Sequence, residues 1–138
     1  MNEKKPIIEL RNAWKTYNSD SVPVHALRGA NLSIFPKKFV TIIGPSGSGK
    51  STLLHLVGCL DLPTKGQVFL AGQDIAKMTE NELAQIRGRK IGFIFQQFNI
   101  MKNLTALENV MLPMAFLGTE FSERQWRAEK LLTMVGLK

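Results

Sequence analysis

The sequence predicts an α/β fold, and three observations carry that expectation. A nearly continuous apolar run, "KFVTII", stops at Gly44; the glycine turn "GPSGSGKST" follows; leucines then recur at helical spacing. A buried-type strand that feeds a helix through such a turn is the repeating unit of α/β cores.

The elements follow in chain order. "PIIELRNAWKTY" and "ALRGANLSIF" are rich in strand formers with partial alternation, and the link "NSDSVP" carries turn residues, so two antiparallel strands are expected. "KFVTII" reads as a central strand buried on both faces. Leu53, Leu54, Leu56, Val57 and Leu60 mark a helix from about Lys50 to Leu60, and "DLPTKG" closes it with Pro63 and Gly66. "QVFLAG" is a further strand. "TENELAQIR" is a helix whose Thr79 and Glu82 have capping-box spacing, and "KIGFIF" is a second buried-type strand, ending at Gln96 and Gln97.

Thr105 with Glu108, and Ser122 with Gln125, repeat the cap spacing and open two more helices, "TALENVMLPMAFL" and "SERQWRAEKLLTMV". Pro113 should kink the first of these. In the second, Ala128, Leu131, Leu132 and Val135 share an apolar face, and Gly136 suits a C-terminal cap.

Composition bounds the function. With 138 residues and 44% hydrophobic content the chain is long enough for one domain with a core. No apolar stretch approaches the roughly 20 residues that cross a bilayer, and "MNEKKPIIEL" lacks the apolar centre of a signal peptide. A cytoplasmic location is the simplest expectation. Cys59 is the single cysteine, which excludes an internal disulfide, and it reads as a small buried apolar residue. A net charge of +7, from 18 Lys and Arg against 11 Asp and Glu, favours polyanionic partners without choosing among them. Trp126 among Arg124, Arg127 and Lys130 is too little for nucleic-acid stacking, so no nucleic-acid partner is expected. His25 and His55 have no neighbouring carboxylate or second ligand in sequence and receive no catalytic role.

The glycine turn carries the chemistry. Gly44, Gly49, Lys50 and Ser51 match the phosphate-loop pattern G-x-x-x-x-G-K-[ST] between an expected strand and an expected helix. Along Gly44, Pro45, Ser46, Gly47, Ser48 and Gly49, the glycines permit positive backbone dihedrals, so successive N–H groups can turn inward around phosphate oxygens. The start of the following helix adds partial positive charge. Lys50 is suited to the β- and γ-phosphates, the Ser51 hydroxyl to Mg²⁺, and Thr52 to an α-phosphate. With the family resemblance set out next, the expected architecture is an incomplete phosphate-loop (P-loop) nucleoside-triphosphatase core with an antiparallel β portion and, as that resemblance implies, the start of a helical subdomain. The division falls at about 1–95 for the β portion and core and about 96–138 for the remainder.

"GPSGSGKSTLLHLVGCLD" followed by "IGFIFQQFNIMKNLTALENVMLP" resembles the nucleotide-binding domain of ATP-binding-cassette (ABC) transporters, in particular the lipoprotein-releasing and macrolide-exporter type. The resemblance runs from about Ile7 to the last residue, and the second motif is more family-specific than the phosphate loop. It implies that Tyr17, in "WKTY", stacks on adenine. It implies that Gln96, placed directly after the strand, reaches Mg²⁺ and the attacking water and links the site to a membrane subunit; Gln97 is the alternative register. The segment from Gln96 to Pro113 resembles the surface on which the transmembrane permease docks, with Phe98, Ile100, Met101 and Leu104 as its apolar residues or as part of the core.

The resemblance also implies MgATP as ligand, a second nucleotide-binding domain as dimer partner, and a place on the cytoplasmic face of the inner or plasma membrane. The family's signature motif, its apolar strand ending in Asp-Glu and its switch histidine are expected beyond Lys138. Asp20, Asp61 and Asp74 do not follow runs of four apolar residues, so none substitutes for the metal-orienting aspartate, and no catalytic residue is identified within these 138 positions. The expected central sheet would be left with an uncovered edge.

The leading reading is the ATP-binding subunit of an ABC transporter. A truncated, non-hydrolytic nucleotide-binding or interaction module is the second. A small kinase or GTPase is the third, weakened by the absence of an Asn-Lys-x-Asp guanine motif. The 138-residue chain by itself is expected to show no steady-state ATPase activity above background. Phosphate release that disappears with Lys50→Ala would overturn that expectation.

Overall fold

The computed structural model describes residues 5–18 and 22–137. Within the first of two units, Met1–Arg87, β1 (Ile8–Asn18) and β2 (Pro23–Ile34) form the expected antiparallel pair, with Ile8 opposite Ile34 and Leu10 opposite Leu32. Residues 19–21 of the link between them lie outside the described residues. β3 (Lys65–Leu70) pairs with the other side of β1, and the short β4 (Gln73–Asp74) completes a four-stranded antiparallel sheet in the order β2-β1-β3-β4.

Alternation sets the buried face. Leu10 and Ala13 of β1, Leu27 of β2, and Val68 and Leu70 of β3 are buried with Leu56, Cys59, Ile75 and Leu83 from the segments that follow. Helix α1 (Lys50–Val57) packs against β2 and contributes Leu56.

The sheet is interrupted where β1 bulges. Asn12 has φ 47° and the register shifts on both sides of it; its N–H donates to Asn31 Oδ1 at 2.9 Å rather than to the ladder. Opposite this bulge stands Gly66, with φ 77°, and a Cβ there would lie 2.0 Å from the Asn12 carbonyl oxygen. Only glycine fits, for both reasons.

Three expectations are corrected here. Residues 38–43 and 90–95 form no strand: among the described residues neither run joins the sheet, and Lys90 still belongs to the preceding helix. Phe39 is 96% and Ile43 87% exposed, and Ile94 is fully exposed. Strand formers make a strand only when a ladder satisfies their backbone groups, and no parallel neighbour does so here. Helix α1 stops at Val57 instead of reaching Leu60, because Cys59 turns left-handed with φ 55°. The Leu60 N–H then bonds His55 O at 2.9 Å and the Cys59 N–H bonds Leu56 O at 3.1 Å, the closing pair of a Schellman motif. Ser122 is not a cap; Glu120 is, with its carboxylate accepting from the Phe121 N–H, so Ser122 lies inside the first helical turn.

Helix α2 (Glu80–Lys90) begins as expected, with Thr79 and Glu82 exchanging backbone and side-chain hydrogen bonds. The second unit, Gly88–Lys138, holds α3 (Ala106–Phe116) and α4 (Phe121–Met134), which pack on each other and bury Met111 and Ala128. Thr105 and Glu108 form the full capping box of α3, and Pro113 sits inside this helix without ending it. Gly136, at φ 81°, closes α4 with the Leu137 N–H on Leu132 O at 2.9 Å. No helix among the described residues is long and apolar enough to cross a membrane.

Gly66→Ala should lower the stability of the first unit by at least about 2 kcal/mol, since a left-handed non-glycine residue alone costs about 1–2 kcal/mol and the Asn12 carbonyl adds a clash. A shift of the urea midpoint to lower denaturant measures it; an unchanged midpoint would show that the bulge relaxes freely.

Candidate functional site

The segment 44–52 is a turn that delivers the chain from residues 38–43 to α1. Gly47 and Gly49 take φ values of 78° and 87°, and Gly49 occupies the N-cap position of α1 in the left-handed conformation. The Ser48 N–H bonds Pro45 O at 3.3 Å, and Lys50 Nζ donates to the same carbonyl at 2.7 Å, so the lysine folds back across the loop. A Cβ on Gly49 would lie 2.4 Å from Ala26 O, and one on Gly44 would lie 2.8 Å from Ser48 Oγ. Gly44, Pro45, Ser46, Gly47, Ser48 and Ser51 are exposed, whereas Gly49, Lys50 and Thr52 are half-buried.

The start of α1 differs from every other helix start among the described residues. α2, α3 and α4 are capped by Thr79 with Glu82, Thr105 with Glu108, and Glu120. At α1 no side chain caps the helix and no acidic residue occupies its first turn. The first helical bond runs from Leu53 N–H to Gly49 O at 2.8 Å. The amides of Lys50, Ser51 and Thr52 therefore have no helical acceptor. Such a terminus, beside an ammonium and two hydroxyls, is chemically matched to an anion.

Tyr17 lies near the end of β1, paired with Val24 and 40% exposed. Its hydroxyl donates to Asp61 Oδ2 at 3.1 Å, just beyond the end of α1. Asp61 Oδ1 also accepts from Lys15 Nζ and from its neighbour's amide, Leu62 N–H, at 2.8 Å. Lys15 in turn donates to Leu62 O at 2.9 Å and lies 5.2 Å from the centre of the Tyr17 ring. Partial burial raises the Asp61 pKa, but the bonds from Lys15, Leu62 and Tyr17 outweigh it and hold the carboxyl below its ordinary value of 3.8. Sequence reasoning missed Lys15 and Asp61 as companions of Tyr17. The alternation that sets Lys15 two residues before Tyr17 was a visible signal; the contact with Asp61, 44 residues away, was not.

Gln96 and Gln97 lie in the second unit, in an exposed bend after residues 91–95. Phe98, Ile100 and Met101 are exposed, and Leu104 is half-buried. Asn109 pins this segment to α3: its Oδ1 accepts from Met101 N–H at 2.8 Å, and its Nδ2 donates to Met101 O and Leu104 O, each at 3.1 Å. His25 Nδ1 pairs with Thr16 Oγ1 at 2.9 Å, and His55 is exposed on α1. Cys59 is buried, 2% exposed, and burial pushes its thiol pKa up. Among the described residues no group of three or more His, Cys, Asp or Glu side chains is gathered as a metal site.

Comparison with known proteins now decides the family: the ABC transporter family matches residues 27–138. The chain belongs to the ABC transporter family. It is 53% identical over 133 residues to an uncharacterized ABC transporter ATP-binding protein of Thermotoga maritima, covering 96% of this chain and 57% of that protein. It is 44% identical over 133 residues to a macrolide export ATP-binding/permease protein of Marinobacter nauticus, covering 96% of this chain and 21% of that protein. Among solved structures, a dimeric ATP-binding cassette in a post-hydrolysis state, bound to ADP and Pi, superposes with a TM-score of 0.85 at 46% identity, over 95% of this chain and 58% of that one. The chain thus spans little more than half the length of the ATP-binding proteins of this family that it matches. The fold is that of a partial α/β phosphate-loop cassette, as the sequence predicts.

Because the Asp61 pKa is lower folded than unfolded, its anchoring contributes stability that is fully present above the unfolded value of 3.8 and is lost as pH falls through the folded value. Asp61→Asn should therefore cost about 1–2 kcal/mol at pH 7, discounted for partial exposure, and the gap to the parent protein should close on acidification. Urea midpoints from pH 7 to 3 measure it; a gap that does not change with pH would remove the charged anchor.

Proposed function

We propose that this chain forms the nucleotide-binding part of an ABC transport ATPase, in which MgATP is bound and, in the complete domain, hydrolysed to drive transport. The single observation that carries this reading is the uncapped start of α1, where glycines, an ammonium and amides without a helical acceptor come together, while every other helix start among the described residues is capped by its own side chains. The names of the relatives and the ADP and Pi in a similar cassette support it.

Each residue has a role in this reading. The backbone from Gly44 through Pro45, Ser46, Gly47 and Ser48 to Gly49 surrounds the phosphates, and the positive φ values at Gly47 and Gly49 are of the kind that lets a loop turn its amides toward an anion. Lys50 exchanges its bond to Pro45 O for charge-assisted bonds to the β- and γ-phosphates, which offset part of their desolvation. The half-buried Thr52 serves the α-phosphate, and Tyr17 stacks on the adenine.

The exposed Ser51 hydroxyl and the Gln96 amide are oxygen donors of the hard kind that suits Mg²⁺, which takes few protein ligands and keeps waters and phosphate oxygens. When bound, the metal would neutralise charge on the β- and γ-phosphates. Gln96, with both an acceptor and a donor, orients the attacking water.

The wider assembly follows the same reading. Residues 1–95 act as the β portion and core, and 96–138 as the segment bearing Gln96 and the start of the helical subdomain. The segment from Gln96 to Pro113, with its exposed Phe98, Ile100 and Met101, meets a transmembrane permease subunit. A second nucleotide-binding domain completes each site, and the pair works on the cytoplasmic face of the membrane.

Lys50→Ala in the full-length protein tests the site. Losing a charge-assisted bond worth about 3 kcal/mol weakens MgATP by roughly 100-fold, read by calorimetric titration. Affinity close to that of the parent would sink the phosphate-loop assignment.

A further inference from the structure

Asp61 has no part in the phosphate loop and is too far along the chain to be read as its neighbour, yet it collects three donors. The Tyr17 hydroxyl, the Lys15 ammonium and the Leu62 amide all end on its carboxylate. Lys15 adds a second tie to the same turn through Leu62 O. The Lys15 side chain is only 12% exposed, so its ammonium is confined rather than free to wander in solvent.

The arrangement fixes both ends of the tyrosine. Its hydroxyl is held by Asp61 Oδ2, and the ammonium of Lys15 stands over one face of the ring at 5.2 Å from its centre. A ring that is 40% exposed, tethered at its tip and covered by a cation on one side, has one face left for a flat partner. Because Asp61 and Leu62 follow directly on the turn that ends α1, the tether also ties the tyrosine to the helix whose first turn lies in the phosphate loop.

We infer that Asp61 is a positioning residue for nucleobase binding: through Lys15 and the Tyr17 hydroxyl it holds the Tyr17 ring ready to stack on the adenine of a nucleoside triphosphate. The inference rests on the reading of Tyr17 as the base-stacking residue. Its physical content is pre-organisation. A tyrosine already fixed loses less side-chain freedom when the base arrives, and the phosphate contacts are untouched.

The test separates base from phosphates. In the full-length protein, the affinities of ATP and of inorganic tripolyphosphate are measured for the parent, Asp61→Ala, Tyr17→Ala and the double variant. Asp61→Ala should weaken ATP about 3- to 10-fold, the range expected for one immobilised side chain, and leave tripolyphosphate unchanged. In the Tyr17→Ala background it should cost nothing further.

Equal losses for ATP and tripolyphosphate, or a loss that persists without Tyr17, would mean that Asp61 supports the loop structurally and would overturn the inference. Should Tyr17→Ala weaken ATP while Asp61→Ala does not, the positioning role alone falls. If Tyr17→Ala leaves ATP unchanged while Lys50→Ala weakens it as expected, the stacking role of Tyr17 falls and takes the positioning role with it. Should Asp61→Ala fail to fold, Asp61→Asn and Tyr17→Phe, each removing one part of the tether, carry the same comparison.

Discussion

The close approach of Gly49 to β2 is the contact on which the candidate site depends. With 2.4 Å between a notional Cβ and Ala26 O, any side chain at position 49 would push the first turn of α1 off the sheet. The glycine lets the loop take its left-handed turn and lets the helix begin hard against β2, whose other neighbour is β1. Through β1 the same sheet carries Lys15 and Tyr17. One missing methyl group therefore sets the distance between the loop and the strand that bears the tyrosine.

Sheet and helix then meet a second time at the other end of α1. Asp61 and Leu62, directly after the Schellman turn, are bonded to β1 through Lys15 and Tyr17. A helix of only 8 residues would be marginal by itself. Held by packing at its start, by Leu56 in the core and by this polar clasp beyond its end, it is oriented from three directions.

Local signals were legible in the sequence, and so were β1, β2 and β3, whereas the strands expected at residues 38–43 and 90–95 were not there. Thr79 with Glu82, Thr105 with Glu108, and Gly136 announce helix ends because each partner lies within a few residues, and all three behave as the spacing predicts. Ser122 misled because Glu120, two residues earlier, offers a carboxylate to the Phe121 amide. The apolar runs 38–43 and 90–95 misled for a deeper reason: composition records a preference for pleated structure, while a strand exists only where another chain segment takes its hydrogen bonds. At the site, the glycine spacing disclosed the loop, but the link from Tyr17 to Asp61 spans 44 positions and no periodicity encodes it.

Cys59 occupies the left-handed position that closes α1, where glycine is the usual choice, and its side chain is folded into the core. A thiol so placed is shielded from solvent, and its raised pKa leaves little thiolate to react. The protein thereby carries an internal clock. A water-soluble alkylating reagent reaches the sulfur only when this part of the chain opens, so the rate of labelling counts those openings.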